Sequence, residues 1–135
     1  MPDSYERKVL LTGFRPDITI SRELQERFGT AEEIAAKLHA DHARIQRAGI
    51  TPIAFYLDPQ EQEKGLQNLE SLLRQEKYEA IGIGAGVRFN SEHTALFETM
   101  VNMCRTIAPN VPLMFNDGPG GSTETVQRVL GVHIP

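Results

Sequence analysis

The chain has 135 residues, with 14 Lys and Arg against 18 Asp and Glu and a net charge of −4. That length suits one compact domain over residues 1–135, and the acidic balance, without a long basic run, argues against nucleic acid as a partner. No apolar run approaches the roughly 20 residues of a membrane span, and the single cysteine, Cys104, can close no internal disulfide and stands in no metal-type spacing. A soluble, cytoplasmic protein with no membrane partner and no metal site is expected.

Lys8 to Phe14, KVLLTGF, is a short β-type run ending in a glycine turn, as a central strand buried on both faces would be. Arg15 to Gly29 reads as an excursion above the sheet, with Pro16, a β-branched patch at 18–20 and a helical turn in SRELQERF closed by Gly29. Thr30 then opens a strong helix. Glu33 stands three residues on, as in a capping box, and Ile34, Leu38 and Ile45 share one face up to Gly49.

Thr51 to Leu57 is the second strand, after which Asp58, Pro59 and Glu61 supply a cap, a preset first residue and an acidic first turn for a helix reaching about Lys77. Its interior holds Gly65, which weakens a helix by about 1 kcal/mol relative to alanine. Strand three spans Tyr78 to Ala85. Ser91 starts the next helix, whose Leu96, Phe97, Met100, Val101, Cys104 and Ile107 form a wide apolar stripe ending before Pro109. Val111 to Phe115 is strand four, and Thr123 to Leu130 a final helix closed by Gly131.

Strand and helix thus alternate four times, joined by connections long enough for crossovers. The expected fold is an α/β three-layer sandwich, flavodoxin-like or Rossmann-like. Its parallel sheet has four strands in an order of about 2-1-3-4, with a fifth if the terminal GVHIP pairs at an edge instead of merely covering one. A homodimer burying a sheet edge is the other way to cover it.

In such a sheet the strand-to-helix loops open on one side, so function is expected there. The run EAIGIGAGVRF, residues 79–89, carries glycines at 82, 84 and 86 but is no dinucleotide fingerprint. Val87 or Phe89 occupies the third glycine position in either frame, and no lysine follows as a phosphate loop would require. Gly82 is read as a packing glycine and Gly86 as a turn with positive φ, while Gly84 and Gly86 divide evenly between packing and ligand contact. Arg88 is the leading binding residue, because a guanidinium grips a carboxylate or phosphate through two parallel hydrogen bonds. A surface arginine paired with Glu92 or Asp117 accounts for it equally well.

Thr12, Gly13 and Arg15 in the first loop, Asn90 in the third, and Asn116, Asp117 and Ser122 in the last complete the candidate rim, with Arg15 as a mobile clamp. Two arginines, two capped helix starts and several hydroxyl or amide side chains favour a small anionic ligand, phosphate- or carboxylate-bearing. The same Asn, Asp and Ser residues also suit local turns and caps. Whether the protein is an enzyme, and with what cofactor, stays open. His93 is read as an exposed first-turn histidine, His39 and His42 as a solvated pair without a third metal ligand, and Cys104 as an inert core thiol. The alternative function is self-association or partner binding through a sheet edge or through the excursion at residues 15–29.

Known families of this architecture leave few matches. A receiver domain's acidic residue and a phosphotransferase IIB domain's cysteine are both missing where Thr12, Gly13 and Phe14 end the first strand. TGFRPDIT resembles a flavodoxin phosphate loop only weakly. VLLTGFRP is similar to the opening of pyroglutamyl peptidases and GVHIP loosely to their histidine-bearing strand, but their cysteine motif is missing around Cys104, so neither Cys104 nor His133 takes their catalytic roles. GAGVRF, LFETMVN, FND and TETVQRVL, over residues 78–130, resemble a group of small Rossmann-like or flavodoxin-like proteins of unknown function. That likeness implies the fold and the rim without a reaction.

Overall fold

The computed structural model describes residues 6–15 and 22–135. Its strands are β1 (Arg7–Phe14), β2 (Ile50–Leu57), β3 (Ala80–Ile83) and β4 (Leu113–Phe115). They form one sheet in the order β2-β1-β3-β4 with every pair parallel, as the alternation of elements predicts. The helices are α1 (Arg22–Phe28), α2 (Ala31–Arg47), α3 (Gln62–Gln75), α4 (Ala85–Arg88), α5 (Thr94–Ile107) and α6 (Ser122–Leu130). Pro16, Asp17 and the patch at 18–20 lie outside the described residues.

Side chains alternate across a strand, so each face of the sheet draws its own core. Leu10, Ile81 and Ile83 meet Leu69 and Leu73 of α3 and Leu96, Met100 and Cys104 of α5. Val9, Ala80 and Met114 meet Ile45 of α2 and Val126 of α6 on the opposite face. Helices therefore cover both sides, giving the flavodoxin/Rossmann-like three-layer arrangement. Val9 and Leu10 of the inner strand β1 are both fully buried, which is why KVLL reads as a continuous apolar run rather than an alternating one.

Local signals explain most boundaries. The Thr30 hydroxyl accepts from Glu33 N at 3.2 Å while Glu33 Oε1 accepts from Thr30 N at 3.0 Å, the reciprocal capping box expected at the start of α2. Gly131, at φ 68°, closes α6 in a left-handed turn. Gly65 sits in α3 because a Cβ there would lie 2.9 Å from Leu57 Cδ2, so the helix accepts a poor helix former to approach β2 closely.

Four expectations need correction. Asp58 does not cap α3: its Oδ1 accepts from Gln60 N at 2.9 Å and its carbonyl from Glu61 N at 2.9 Å, a self-contained turn that delays the helix to Gln62. Strand three ends at Ile83, and Gly84 turns the chain into α4. Gly86 lies within that short helix and is not among the positive-φ glycines. The segment GVHIP adds no strand. Instead Ile134 is buried in the α2–α6 layer, its N–H donating to Gln127 Oε1 at 2.7 Å, while the Pro135 carbonyl accepts from Arg44 Nη2 at 3.3 Å. Among the described residues no helix is long and apolar enough to cross a membrane.

Candidate functional site

The chain leaves β1 toward β2 on one side and later returns past it to β3 on the other, so the crevice between the ends of β1 and β3 is the sheet's switch point. The two strand ends lie close together. Gly84 N donates to the Thr12 carbonyl at 2.8 Å, and a Cβ on Gly84 would stand 3.0 Å from that oxygen and 3.4 Å from Gly13 Cα. Close backbone approach therefore accounts for Gly84. Gly82 has a similar cause, since its Cβ would come within 3.3 Å of Leu11 Cδ2 and 3.5 Å of Met114 Cε.

Over this crevice opens a cavity of about 360 Å³. Thr12, Gly13, Arg15, Gly84, Gly86, Asn90, Asn116 and Ser122 all line it, so distant loops do converge at one mouth. Arg88 and Asp117 are not in its lining. Arg88 Nη2 donates to the Asn116 carbonyl at 2.8 Å, and the guanidinium lies 4.1 Å from the centre of the Phe89 ring and 5.6 Å from that of Phe115. The side chain thus braces the β4–α6 loop, and no ion pair joins it to Glu92 or Asp117.

The polar side chains of the rim are bonded mainly to backbone groups of the rim itself. Asn116 Oδ1 accepts from Ala85 N at 3.1 Å and its Nδ2 donates to Ser122 Oγ at 3.2 Å, tying the loops after β3 and β4 together. The Thr12 hydroxyl donates to the Gly82 carbonyl at 2.8 Å, and Asn90 Oδ1 accepts from Glu92 N at 3.0 Å at the one-turn helix over 91–93 that leads into α5. The start of α6, an expected anion site, is already occupied by a carboxylate of the protein itself. Asp41, only 3% exposed, accepts from Ser122 N, Thr123 N and the Thr123 hydroxyl.

Residues that the sequence reading assigned to the core or to solvent supply the remaining walls. Ile34, Leu38 and His42, spaced four apart on α2, face the cavity together with Phe14, Phe28 and Tyr56. That spacing was the available signal, for it continues the apolar stripe of α2 past the sheet's end into a histidine. Burial pushes the His42 imidazole below its ordinary value, against the upward pull of Asp41, and His39 pushes it lower still. Burial likewise raises the Tyr56 phenol, which stays protonated at neutral pH.

His93 differs most from its expectation. It lines the cavity half-buried, its ring meets Phe14 at a centroid distance of 4.6 Å, and its Nδ1 is sealed from solvent without a hydrogen-bond partner. Among the described residues no cluster of three metal-ligating side chains occurs. Burial pushes the Cys104 thiol up to about 11, consistent with an inert core residue. Among the described residues Arg15 is the one arginine in the lining, which holds no lysine, and it is ion-paired with Asp58 at 3.6 Å across a partly exposed surface. The chain matches no protein-family model, no curated protein and no solved structure.

Proposed function

We propose that the protein binds a small, partly apolar organic acid in the cavity between the ends of β1 and β3. The observation that carries this reading is the cavity itself. Its volume of about 360 Å³ lies in the range of small-molecule sites, its place is where open parallel sheets bind ligands, and its walls combine rings and aliphatic side chains with a few converging polar groups. Among the described residues Arg15 is the lining cation that would face an anionic group, and the donors at the start of α6 are taken by Asp41. The Arg15–Asp58 pair is partly exposed, and such a pair exchanges readily for a ligand carboxylate. On this reading the protein acts as a cytoplasmic binding module, with chemistry an open addition.

Thermal shift against nucleotides, sugar phosphates and carboxylates tests the proposal. Carboxylates are expected to raise the melting temperature of the wild type and to lose most of that effect in Arg15→Gln. A panel in which nothing stabilises, or a shift unchanged in Arg15→Gln, would count against it. The competing reading, a homodimer pairing along the outer edge of β2, is favoured by the length of that eight-residue edge strand. Light scattering separates the two: a stable dimer whose protomers cover the cavity supports the rival.

A further inference from the structure

Part of the cavity lies between the sheet and α2. Val9 shares a core with Ile45 of α2, and because side chains alternate along a strand, Leu11 and Gly13 turn to that same face, with Tyr56 beside Gly13 through the β1–β2 register. Gly13 leaves room there, for the atom nearest a Cβ on it would be Gly84 Cα at 3.9 Å. Ile34, Leu38 and His42 line the same space from α2, one helical turn apart.

The polar member of that α2 face is unanswered from within the protein. Among the described residues His42 has no hydrogen-bond partner, and the buried side-chain nitrogens without one are Arg88 Nε and His93 Nδ1, so the ring nitrogens of His42 are open to solvent rather than sealed. Asp41 beside it commits both oxygens to Ser122 and Thr123. A half-buried imidazole on the cavity wall is therefore free to bond a molecule that enters.

We propose that His42 meets the carboxylate of the bound acid and takes up a proton as it does so, which makes binding in this cavity proton-linked. The inference rests on the ligand-binding reading above and adds its regulation. Without ligand, burial favours the neutral imidazole over the pull of Asp41, and His39 acts in the same direction as burial. A carboxylate in contact reverses the balance, since an opposite charge favours the imidazolium. The other titratable groups on the walls are Arg15, which is paired with Asp58, the Tyr56 phenol, which stays protonated, and Glu92 and His93 ahead of α5. The step joins a carboxylate, a neutral imidazole and one proton from solvent into an ion pair. Uptake of that proton and a rise in affinity as pH falls are one linked quantity. Affinity climbs as pH falls through the value His42 holds in the complex and levels off below its value in the free protein; the acid, ionised throughout this range, contributes no proton.

Calorimetric titration of the whole protein with benzoate and hexanoate, and with benzamide as an uncharged counterpart, provides the test in two buffers of different ionisation enthalpy. At about pH 7 a bound acid is expected to bring about 0.3 proton or more, and its affinity to rise about threefold or more between about pH 8 and 6. Benzamide brings none. In His42→Gln the uptake and the pH dependence vanish while the acid still binds. An acid that binds the wild type without uptake, or uptake that persists in His42→Gln, overturns the linkage and leaves the cavity reading standing. If neither acid binds the wild type at any of these pH values, the two fall together. Should His42→Gln fail to fold or to bind, NMR of the wild-type histidine rings decides: His42 titrates at higher pH with the acid bound than without it, and an unmoved midpoint refutes the proposal.

Discussion

Asp41 on α2 holds the start of α6 through Thr123, its Oδ1 accepting from Thr123 N at 3.2 Å and from Thr123 Oγ1 at 2.8 Å. Its other oxygen accepts from Ser122 N at 3.0 Å. A negative side chain thus meets the positive end of a helix dipole inside the layer where α2 and α6 pack, and the loop that carries Asn116 into the cavity is fixed from below. The same contact puts a carboxylate of the protein itself where an external anion would meet the start of α6.

Removal of this cap is expected to be costly. Asp41→Ala leaves two buried backbone donors without an acceptor and should lower stability by about 2–4 kcal/mol, whereas Asp41→Asn keeps one acceptor and should cost about 1–2 kcal/mol. Urea unfolding measures both. Added sulfate should stabilise Asp41→Ala more than the wild type, since it reaches donors the carboxylate otherwise occupies. Losses under about 0.5 kcal/mol for both variants would show that the cap carries no weight.

Gly84 and Gly86 should respond in opposite ways to the same substitution. An alanine at 84 would set its Cβ 3.0 Å from the Thr12 carbonyl oxygen, a contact with backbone that cannot swing aside. A cost of about 1–3 kcal/mol follows from overpacking. At 86 the nearest atom is Phe14 Cδ2 at 4.0 Å and the backbone is helical, so alanine should be neutral or stabilising by up to about 1 kcal/mol. Gly86→Leu, by contrast, should fold and fill the cavity, abolishing ligand-induced shifts. Equal melting temperatures for the two alanine variants would contradict this account.

The contrast between these glycines shows what the sequence could and could not carry. Periodicity and caps made the sheet order legible: a capping box at Thr30, a continuous apolar run at KVLL and a wide stripe on α5 each reflect interactions local to one element. The converging loops followed from parallel topology alone. What the loops do to one another was not legible, because it depends on long-range contacts. Asp41 meets Ser122 and Thr123 across more than 80 residues, and Asn116 spends its amide on Ala85 and Ser122. Neither partner could be chosen without the packing of α2 against α6. His93 differs for a related reason: its position in a first helical turn suggests exposure, whereas its ring meets Phe14 from a distant strand and is half-buried.

His42 gives the protein an acid-sensitive component. Burial holds the folded imidazole below its ordinary value, outweighing the opposing charge of Asp41, with His39 adding to the depression. The unfolded chain therefore binds more protons between the folded value and the ordinary one near 6.5. This contribution is complete above that ordinary value and is lost as pH falls through the folded value. Between about pH 7 and 5, a window set by the ordinary histidine value, the wild type should lose more melting temperature than His42→Leu. Parallel curves for the two proteins would remove His42 from the explanation.

Arg88 separates bracing from binding. Its guanidinium donates to the Asn116 carbonyl, stacks on Phe89 opposite a second contact from Arg27 at 4.2 Å, and lies outside the cavity lining. Arg88→Ala should therefore lower stability by about 1–2 kcal/mol through the lost hydrogen bond and ring contact. Lysine should recover less than half of this, because an ammonium reproduces neither the planar stacking nor the fixed direction of the donor. Affinity for a carboxylate that binds the wild type should change less than about threefold in Arg88→Ala, against a loss of about tenfold or more in Arg15→Gln, the size expected when a charged hydrogen bond worth about 1.5–3 kcal/mol is removed. Calorimetric titration beside a melting curve reads both quantities. A variant that melts like the wild type yet no longer binds would instead make Arg88 a ligand contact, and the anion would then have to approach from outside the cavity.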